Sequence, residues 1–239
     1  RNVRKLRCGI VLLKQWNTVH TAWLFNNCVA KACTKKHSAL VNTNMQCTRL
    51  SDNVAYGLTM SFRWFADTMF AKRYGHRAVV LETVAGVPGM VAGMWQHLRS
   101  LRKMQPDDRG WIKTLLDEAE NERMHLMIFI EIAKPNWFER LLILFAQFVF
   151  WHFYFVLYVL FPKTAHRMVG YFEDQAVVSY TQYLEEIDSG RIENITAPQI
   201  AIDYYNLIPN ARLREVVKAV RADEQGHAEV NHNMADQLS

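Results

Sequence analysis

Cysteine and acidic residues are both missing from long parts of the chain. The four cysteines (Cys8, Cys28, Cys33 and Cys47) lie in the first fifth of the 239 residues, so the remainder has none for disulfides or a thiolate zinc site. Residues 1–51 contain nine lysines and arginines but no aspartate or glutamate. This composition resembles an organelle transit peptide, and a disordered leader explains it equally well. We expect residues 1–50 to be a leader and residues 51–239 to be the folded domain.

An excess of positive charge is absent from that domain. The whole chain has 28 basic and 23 acidic residues, a formal net charge of +5. Since residues 1–51 hold nine of the basic residues and none of the acidic ones, residues 52–239 have 19 basic and 23 acidic side chains, a balance of −4. Nucleic-acid-binding domains carry clustered positive charge on the fold itself. We therefore expect no nucleic-acid partner.

Strand-like alternation of polar and apolar residues is absent as well, and the apolar spacing predicts helices. The predicted helices lie at about 54–70, 77–104, 109–133, 141–161, 164–188 and 211–234. Three glycines in the second of them, Gly86, Gly89 and Gly93, indicate a close approach by another backbone. The sequence therefore predicts an all-α fold.

Two Glu-x-x-His motifs, Glu122–His125 and Glu224–His227, lie on the third and last predicted helices. Residues three apart on a helix share a face, so each pair can reach one metal ion. Glu82 and Glu173 stand among apolar neighbours on two other helices, where an unpaired carboxylate is costly. This combination is the ligand pattern of ferritin-like four-helix bundles that bind two iron or manganese ions. Oxygen and imidazole ligands without thiolate favour those metals.

Residues 141–161 have no charged side chain and are long enough to span a bilayer. They lie between His125 and Glu173, and no comparable segment lies between Glu173 and Glu224. A single crossing would therefore place the predicted metal ligands on opposite sides of a membrane. The many aromatic residues of the stretch favour the membrane interface. We expect this helix to lie flat on a membrane surface or to pack inside the protein.

Four motifs resemble, in order, those of the alternative oxidases, the cyanide-insensitive ubiquinol oxidases of mitochondria. They are Leu81–Ala85, Asn121–Leu126, Leu184–Asp188, and Arg221–Glu224 followed by His227, and the resemblance covers residues 51–239. It implies a ferritin-like bundle with two iron ions per chain and additional helices at the membrane interface. The implied reaction oxidises ubiquinol and reduces dioxygen to water without pumping protons. The implied form is a homodimer attached to the matrix side of the mitochondrial inner membrane.

The resemblance also assigns roles to residues around the irons. The implied iron ligands are Glu82, Glu122, His125, Glu173, Glu224 and His227. Tyr180 matches a redox-active tyrosine, and it also lies two turns after Glu173 on the same helix face. Asn121 and Asp223 each come just before a ligand glutamate, and they would orient the ligands without contacting the metal. Glu118, Glu120, Glu185, Glu186 and His232 are interpreted as solvated or supporting side chains.

For quinol, the resemblance points to Arg63, Asp67, Arg77 and Ser179, where many members carry threonine at the last position. Arg63 and Asp67 are also spaced for an ordinary ion pair within one helix. Tyr205 is a departure, because many members have tryptophan there, and its role stays open.

Three other functions stay open. A plastid-type plastoquinol terminal oxidase is the nearest alternative within the superfamily. A ferritin-like iron-binding or structural bundle would share the metal ligands, but it would not need the aromatic helix, Arg77 or Tyr180. A soluble di-iron hydroxylase would oxygenate its substrate instead of releasing water.

Overall fold

The structure is a computed structural model that describes residues 50–70, 73–106 and 109–238, so the predicted leader lies outside it except for Leu50. The described residues form seven helices and no strand, which confirms the all-α prediction. The helices are α1 (Leu50–Phe70), α2 (Tyr74–Lys103), α3 (Trp111–Ala133), α4 (Trp137–Leu160), α5 (Pro162–Asp188), α6 (Gln199–Tyr205) and α7 (Leu213–Gln237). The short α6 was not predicted.

Local sequence signals set the helix ends. α4 begins four residues earlier than predicted because Asn136 and Glu139 form a capping box, in which each side chain accepts a hydrogen bond from the other's backbone N–H. α5 begins with Pro162, whose missing N–H costs nothing in the first turn. α2 ends at Lys103, and the next residue, Met104, closes the last turn in a left-handed conformation (φ 50°).

Backbones pack most closely within two helix pairs, α2 with α3 and α5 with α7. On α2, a Cβ atom at Gly89 would lie 2.6 Å from the carbonyl oxygen of Leu115 on α3. On α5, a Cβ atom at Gly170 would lie 2.7 Å from the ring of His232 on α7. Glycine is therefore required at both crossings, and the predicted close approach is found at Gly89. Each pair carries one of the isolated glutamates and one Glu-x-x-His motif.

α1 and α4 leave large apolar side chains exposed around one cavity. We call Phe62, Phe65, Phe145 and Val149 the aromatic face; each is at least partly exposed, from 38% for Phe62 to 65% for Phe145. By length and composition α2 and α4 could each cross a bilayer, but more than half of the apolar window of α2 is buried, against 22% for α4. The uncharged stretch is thus largely a surface helix.

Candidate metal centre

The six predicted metal ligands meet between the two helix pairs. They lie on α2, α3, α5 and α7. Five of the six ligands are at most 3% exposed, and the side chain of the sixth, His227, is 14% exposed. Their ligand atoms fall into two overlapping groups, each spanning no more than 4.8 Å. One group contains Glu82, Glu122, His125 and Glu224, and the other contains Glu122, Glu173, Glu224 and His227. Glu122 and Glu224 belong to both, so the two groups overlap in the way expected for two neighbouring metal ions.

Both imidazole rings point their Nδ1 atoms into the cluster. Nδ1 of His125 lies 3.3 Å from Glu82 Oε2 and 3.2 Å from Glu224 Oε1. Nδ1 of His227 lies 2.6 Å from Glu122 Oε1. The i, i+3 spacing on α3 and α7 produces this convergence, because it places both side chains of each motif on the face that looks inward.

The donor set fits metal ions. Buried polar atoms in folded proteins are almost always hydrogen-bonded. Here several buried atoms lie close together but make no hydrogen bond of acceptable geometry with the described residues: Glu82 Oε2, both carboxylate oxygens of Glu122 and Glu224, and Nδ1 of His125 and His227. Oxygen and nitrogen atoms left in this way, close together and without sulfur, are the ligands that iron and manganese accept.

Burial and mutual repulsion leave protons on several carboxyl groups of the cluster. Burial, with the added charge of Glu122, raises the pKa of Glu82 and of Glu224 to about 8. Burial also raises the pKa of Glu173 well above its usual range. For Glu122, burial is outweighed by His125 and His227, which hold its pKa below the usual range. Burial disfavours the charged form of His227, but Glu122 raises the pKa of the imidazole to about 9.

We expect the affinity of the cluster for Fe²⁺ to rise between about pH 6 and pH 8. Below their pKa of about 8, Glu82 and Glu224 are protonated, so a metal ion must displace those protons before it can bind. Each displaced proton contributes about a tenfold gain in affinity per pH unit. Anaerobic titration with Fe²⁺ at several pH values measures the slope. A pH-independent affinity would mean that the ions bind elsewhere.

Asp223 contacts His125 at Nε2, the ring nitrogen that faces away from the ligand cluster, as expected for the orienting role that the resemblance implies. Its Oδ2 lies 3.2 Å from His125 Nε2, and accepts hydrogen bonds from Asn121 Nδ2 (3.1 Å) and the Tyr205 hydroxyl (2.7 Å). Burial would raise the pKa of Asp223, but these donors lower it, so the group stays a carboxylate. Asn121 acts through Asp223 and also donates to the Tyr204 hydroxyl at 2.7 Å. Tyr205, whose role was open, thus belongs to the support of a predicted ligand.

Tyr180 reaches the cluster directly. Its hydroxyl donates a hydrogen bond to Glu82 Oε1, and its ring stacks on Phe129 with centroids 5.6 Å apart. Tyr180 is 4% exposed, and burial with the charge of Glu82 raises the pKa of its phenol well above the ordinary value. The phenol therefore keeps its proton next to a carboxylate oxygen.

Three of the four predicted quinol residues come together at the α1–α2 corner. Asp67 lies between two arginines, with its Oδ1 2.6 Å from Arg77 Nη1 and its Oδ2 3.4 Å from Arg63 Nε. Arg63 also donates to the Gln175 side chain on α5. Ser179 is buried on α5, next to Tyr180, and does not join this group.

An apolar cavity of about 460 Å³ connects that corner to the cluster. The aromatic face lines its outer part, and Arg63, Arg77 and Gln175 contribute polar groups to its wall. Glu82, Glu173 and Glu224 line it where it meets the predicted metal positions. Nε of Arg77 is buried and has no hydrogen-bond partner among the described residues. The cavity therefore offers an apolar binding space with one free donor and three carboxylates.

Few sequence signals point to the residues that support the predicted ligands. Glu118 is buried, unlike the neighbouring Glu120, and Asn231 on α7 bonds to it. Each lies four residues from a predicted ligand, Glu118 before Glu122 and Asn231 after His227, and this helical spacing is the signal that could have found them. His232 is also buried, 3.1 Å from Asp174.

Four helices bring four glutamates and two histidines to one buried point. This arrangement is typical of one class, the four-helix carboxylate proteins that hold two metal ions. The sequence model of the alternative oxidase family matches residues 33–236. The chain belongs to the alternative oxidase family. The matched range begins inside the predicted leader.

Curated relatives agree with this assignment. The chain is 57% identical over 189 residues to a mitochondrial ubiquinol oxidase of Batrachochytrium dendrobatidis, which covers 79% of the chain and 60% of the relative. It is 55% identical over 187 residues to ubiquinol oxidase 1c, mitochondrial, of Arabidopsis thaliana, with 78% and 56% covered. It is 56% identical over 187 residues to alternative oxidase 3, mitochondrial, of Glycine max, with 78% and 57% covered. The chain thus spans little more than half the length of these relatives.

Proposed function

We propose that this chain is a ubiquinol oxidase, which transfers electrons from ubiquinol to dioxygen and forms water without pumping protons. The observation that carries the proposal is the buried cluster of six ligands at the inner end of an apolar cavity. Two quinols supply the four electrons and four protons that convert one dioxygen into two water molecules. The names of the relatives, ubiquinol oxidases, support the choice of substrate.

Two iron ions are the cofactor that the cluster fits best. Glu122 and Glu224 would contact both ions, while Glu82 with His125 and Glu173 with His227 would each complete one position. When bound, the pair supplies the redox chemistry, taking electrons from quinol and passing them to dioxygen. The protein contributes fixed ligands, Asp223 behind His125, and a buried surrounding that keeps bulk water away.

The apolar cavity would hold the quinol head group. The quinol tail would extend out of the cavity along the aromatic face. The unpaired Nε of Arg77 would donate a hydrogen bond to a quinol oxygen and orient the ring toward Glu82. Tyr180 would supply a hydrogen atom during dioxygen reduction, passing its phenolic proton to Glu82 Oε1. Ser179 is not among the residues that line the cavity, and its role in quinol binding stays a prediction.

We expect Asp67→Asn to raise the KM for ubiquinol about tenfold, or about 1.4 kcal/mol, with a smaller change in kcat. Asp67 holds Arg77 through a 2.6 Å ion pair, so its neutralisation frees the arginine to turn away from the cavity. Steady-state oxygen uptake with a short-chain ubiquinol gives both constants. Asp117→Asn is the matched control, because that aspartate pairs with Lys113 on the surface of α3. An unchanged KM in Asp67→Asn would remove this corner from the quinol site.

The aromatic face supports attachment to one leaflet of a membrane, because ubiquinol is dissolved in lipid and the cavity opens beside these exposed rings. Relatives are named mitochondrial, which supports a mitochondrial location. The resemblance of the motifs is the basis for our further proposal that the chain lies on the matrix side of the inner membrane, with residues 1–50 as a leader. We also propose a homodimer, supported by apolar side chains exposed on α2 and α3, such as Met90, Leu101 and Leu116.

Cyanide-insensitive oxygen uptake by the purified, iron-loaded protein tests the function. We expect two ubiquinols oxidised for each dioxygen consumed, with no oxygenated organic product. Faster uptake with plastoquinol would favour a plastoquinol terminal oxidase. Iron binding without quinol oxidation would favour a ferritin-like protein, and a hydroxylated product would favour a hydroxylase.

A further inference from the structure

A second buried polar cluster lies one helical turn from the metal ligands. Glu118 on α3 and Asn231 on α7 are only 5% and 1% exposed. Nδ2 of Asn231 donates to both carboxylate oxygens of Glu118, at 2.9 and 3.0 Å. It also donates to the backbone carbonyl oxygen of His227, at 3.1 Å. One amide therefore connects a buried carboxyl group on α3 to the turn of α7 that carries a predicted ligand.

The orientation of that amide is fixed from its other side. Because its N–H groups face Glu118 and His227, its oxygen faces Nδ1 of His166 on α5, at 3.1 Å. Burial lowers the pKa of His166 to about 4, so the ring is neutral and carries its one hydrogen on Nδ1. Nε2 of His166 then accepts from the Tyr158 hydroxyl (3.2 Å), which accepts from Gln96 (3.0 Å). Every donor in this chain of bonds has an acceptor.

Side-chain bridges decide how α3 and α7 align, because close backbone packing occurs within the pairs α2/α3 and α5/α7 instead. The two histidines are supported differently. The ring of His125 is held at Nε2 by Asp223, whereas His227 is held at its backbone carbonyl by Asn231. A bond to the backbone fixes the turn from which the side chain projects, and so fixes where Nδ1 points.

We propose that Asn231, anchored by Glu118, is a positioning residue for His227 in the metal centre. The inference rests on the proposed function only in taking His227 as an iron ligand. Loss of the amide frees this turn of α7, and Nδ1 of His227 then meets the cluster with less regular geometry. Residues that orient ligands in this way typically contribute 10- to 100-fold to metal affinity, about the effect we expect here.

Anaerobic Fe²⁺ titration of Asn231→Ala and Asn233→Ala, with thermal unfolding of the metal-free proteins, tests the proposal. Asn233 lies on the same helix but is exposed, so its variant should bind iron like the wild type. Asn231→Ala should bind Fe²⁺ about 10- to 100-fold more weakly. Tyr158→Phe breaks only the far part of the chain of bonds, and should lower the Tm without changing iron affinity. Equal losses of affinity in Asn231→Ala and Tyr158→Phe would show a general packing effect and overturn the proposal.

The double variant Glu118→Gln/Asn231→Asp separates positioning from stability. It exchanges donor and acceptor, so the pair can still bond and the new carboxylate can still accept from His166, but no side chain donates to the carbonyl of His227, which keeps only its helical bond from the backbone N–H of position 231. We expect the Tm to exceed that of Asn231→Asp alone, where two carboxylates face each other, while iron affinity stays low. Recovery of wild-type affinity would overturn the role of the bond to His227. Wild-type protein that binds iron but oxidises no quinol would count against the proposed function alone, since this test measures binding.

Discussion

Glu122→Ala is expected to abolish cyanide-insensitive oxygen uptake, with a loss of about a thousandfold or more, or at least about 4 kcal/mol. Glu122 is the glutamate on α3 that belongs to both ligand groups, so its removal weakens both predicted metal positions at once. It is also the group that pairs with the imidazole of His227 at 2.6 Å. Oxygen uptake with a short-chain ubiquinol, together with iron content per chain, measures both consequences.

Glu120→Ala is the matched control for that experiment. Glu120 lies two residues earlier on the same helix, but it is exposed and pairs with Arg123 on the surface. Its replacement should leave iron content and oxygen uptake unchanged, since surface ion pairs contribute little. If Glu122→Ala keeps its iron and its activity, the assignment of the metal centre is wrong.

Tyr180→Phe should lower oxygen uptake about a hundredfold or more, or at least about 2.7 kcal/mol, while iron content stays at the wild-type level. The phenol is the group with a hydrogen to give next to the cluster, and its partner Glu82 Oε1 is in place to take the proton. Phenylalanine keeps the stacking on Phe129 but has no hydrogen to donate. Uptake assays and iron analysis on the same preparation separate the two effects.

Tyr183→Phe provides the comparison for Tyr180→Phe. Tyr183 is one turn further along α5 and equally buried, but it stacks on Tyr74 with centroids 5.2 Å apart and lies away from the ligands. Loss of its hydroxyl should leave activity intact. Full activity in Tyr180→Phe would remove the radical role of that tyrosine without touching the metal assignment.

The metal ligands could be predicted because each left a local signal. Glu-x-x-His needs only helical spacing, and Glu82 stands out as a carboxylate among apolar neighbours. The cavity could not be predicted, since its walls come from five helices whose relative placement no short pattern encodes. The role of Tyr205 was left open because many family members have tryptophan at that position, and only the placement of α6 shows that its hydroxyl reaches Asp223. Glu118 shares a helix face with Glu122 and Glu120 does not, but the spacing alone does not show that this face packs against Asn231 of α7 at Glu118.

The close helix crossings at Gly89 and Gly170 bear on the order in which the protein loses its structure. They divide the ligand-bearing helices into two pairs, α2/α3 and α5/α7, and each predicted metal position combines three side chains from one pair with one glutamate from the other. Bound ions would therefore link two separately packed helix pairs. Loss of metal would weaken the interface between the two helix pairs before it weakens the packing within either pair. Loss of activity would therefore precede unfolding.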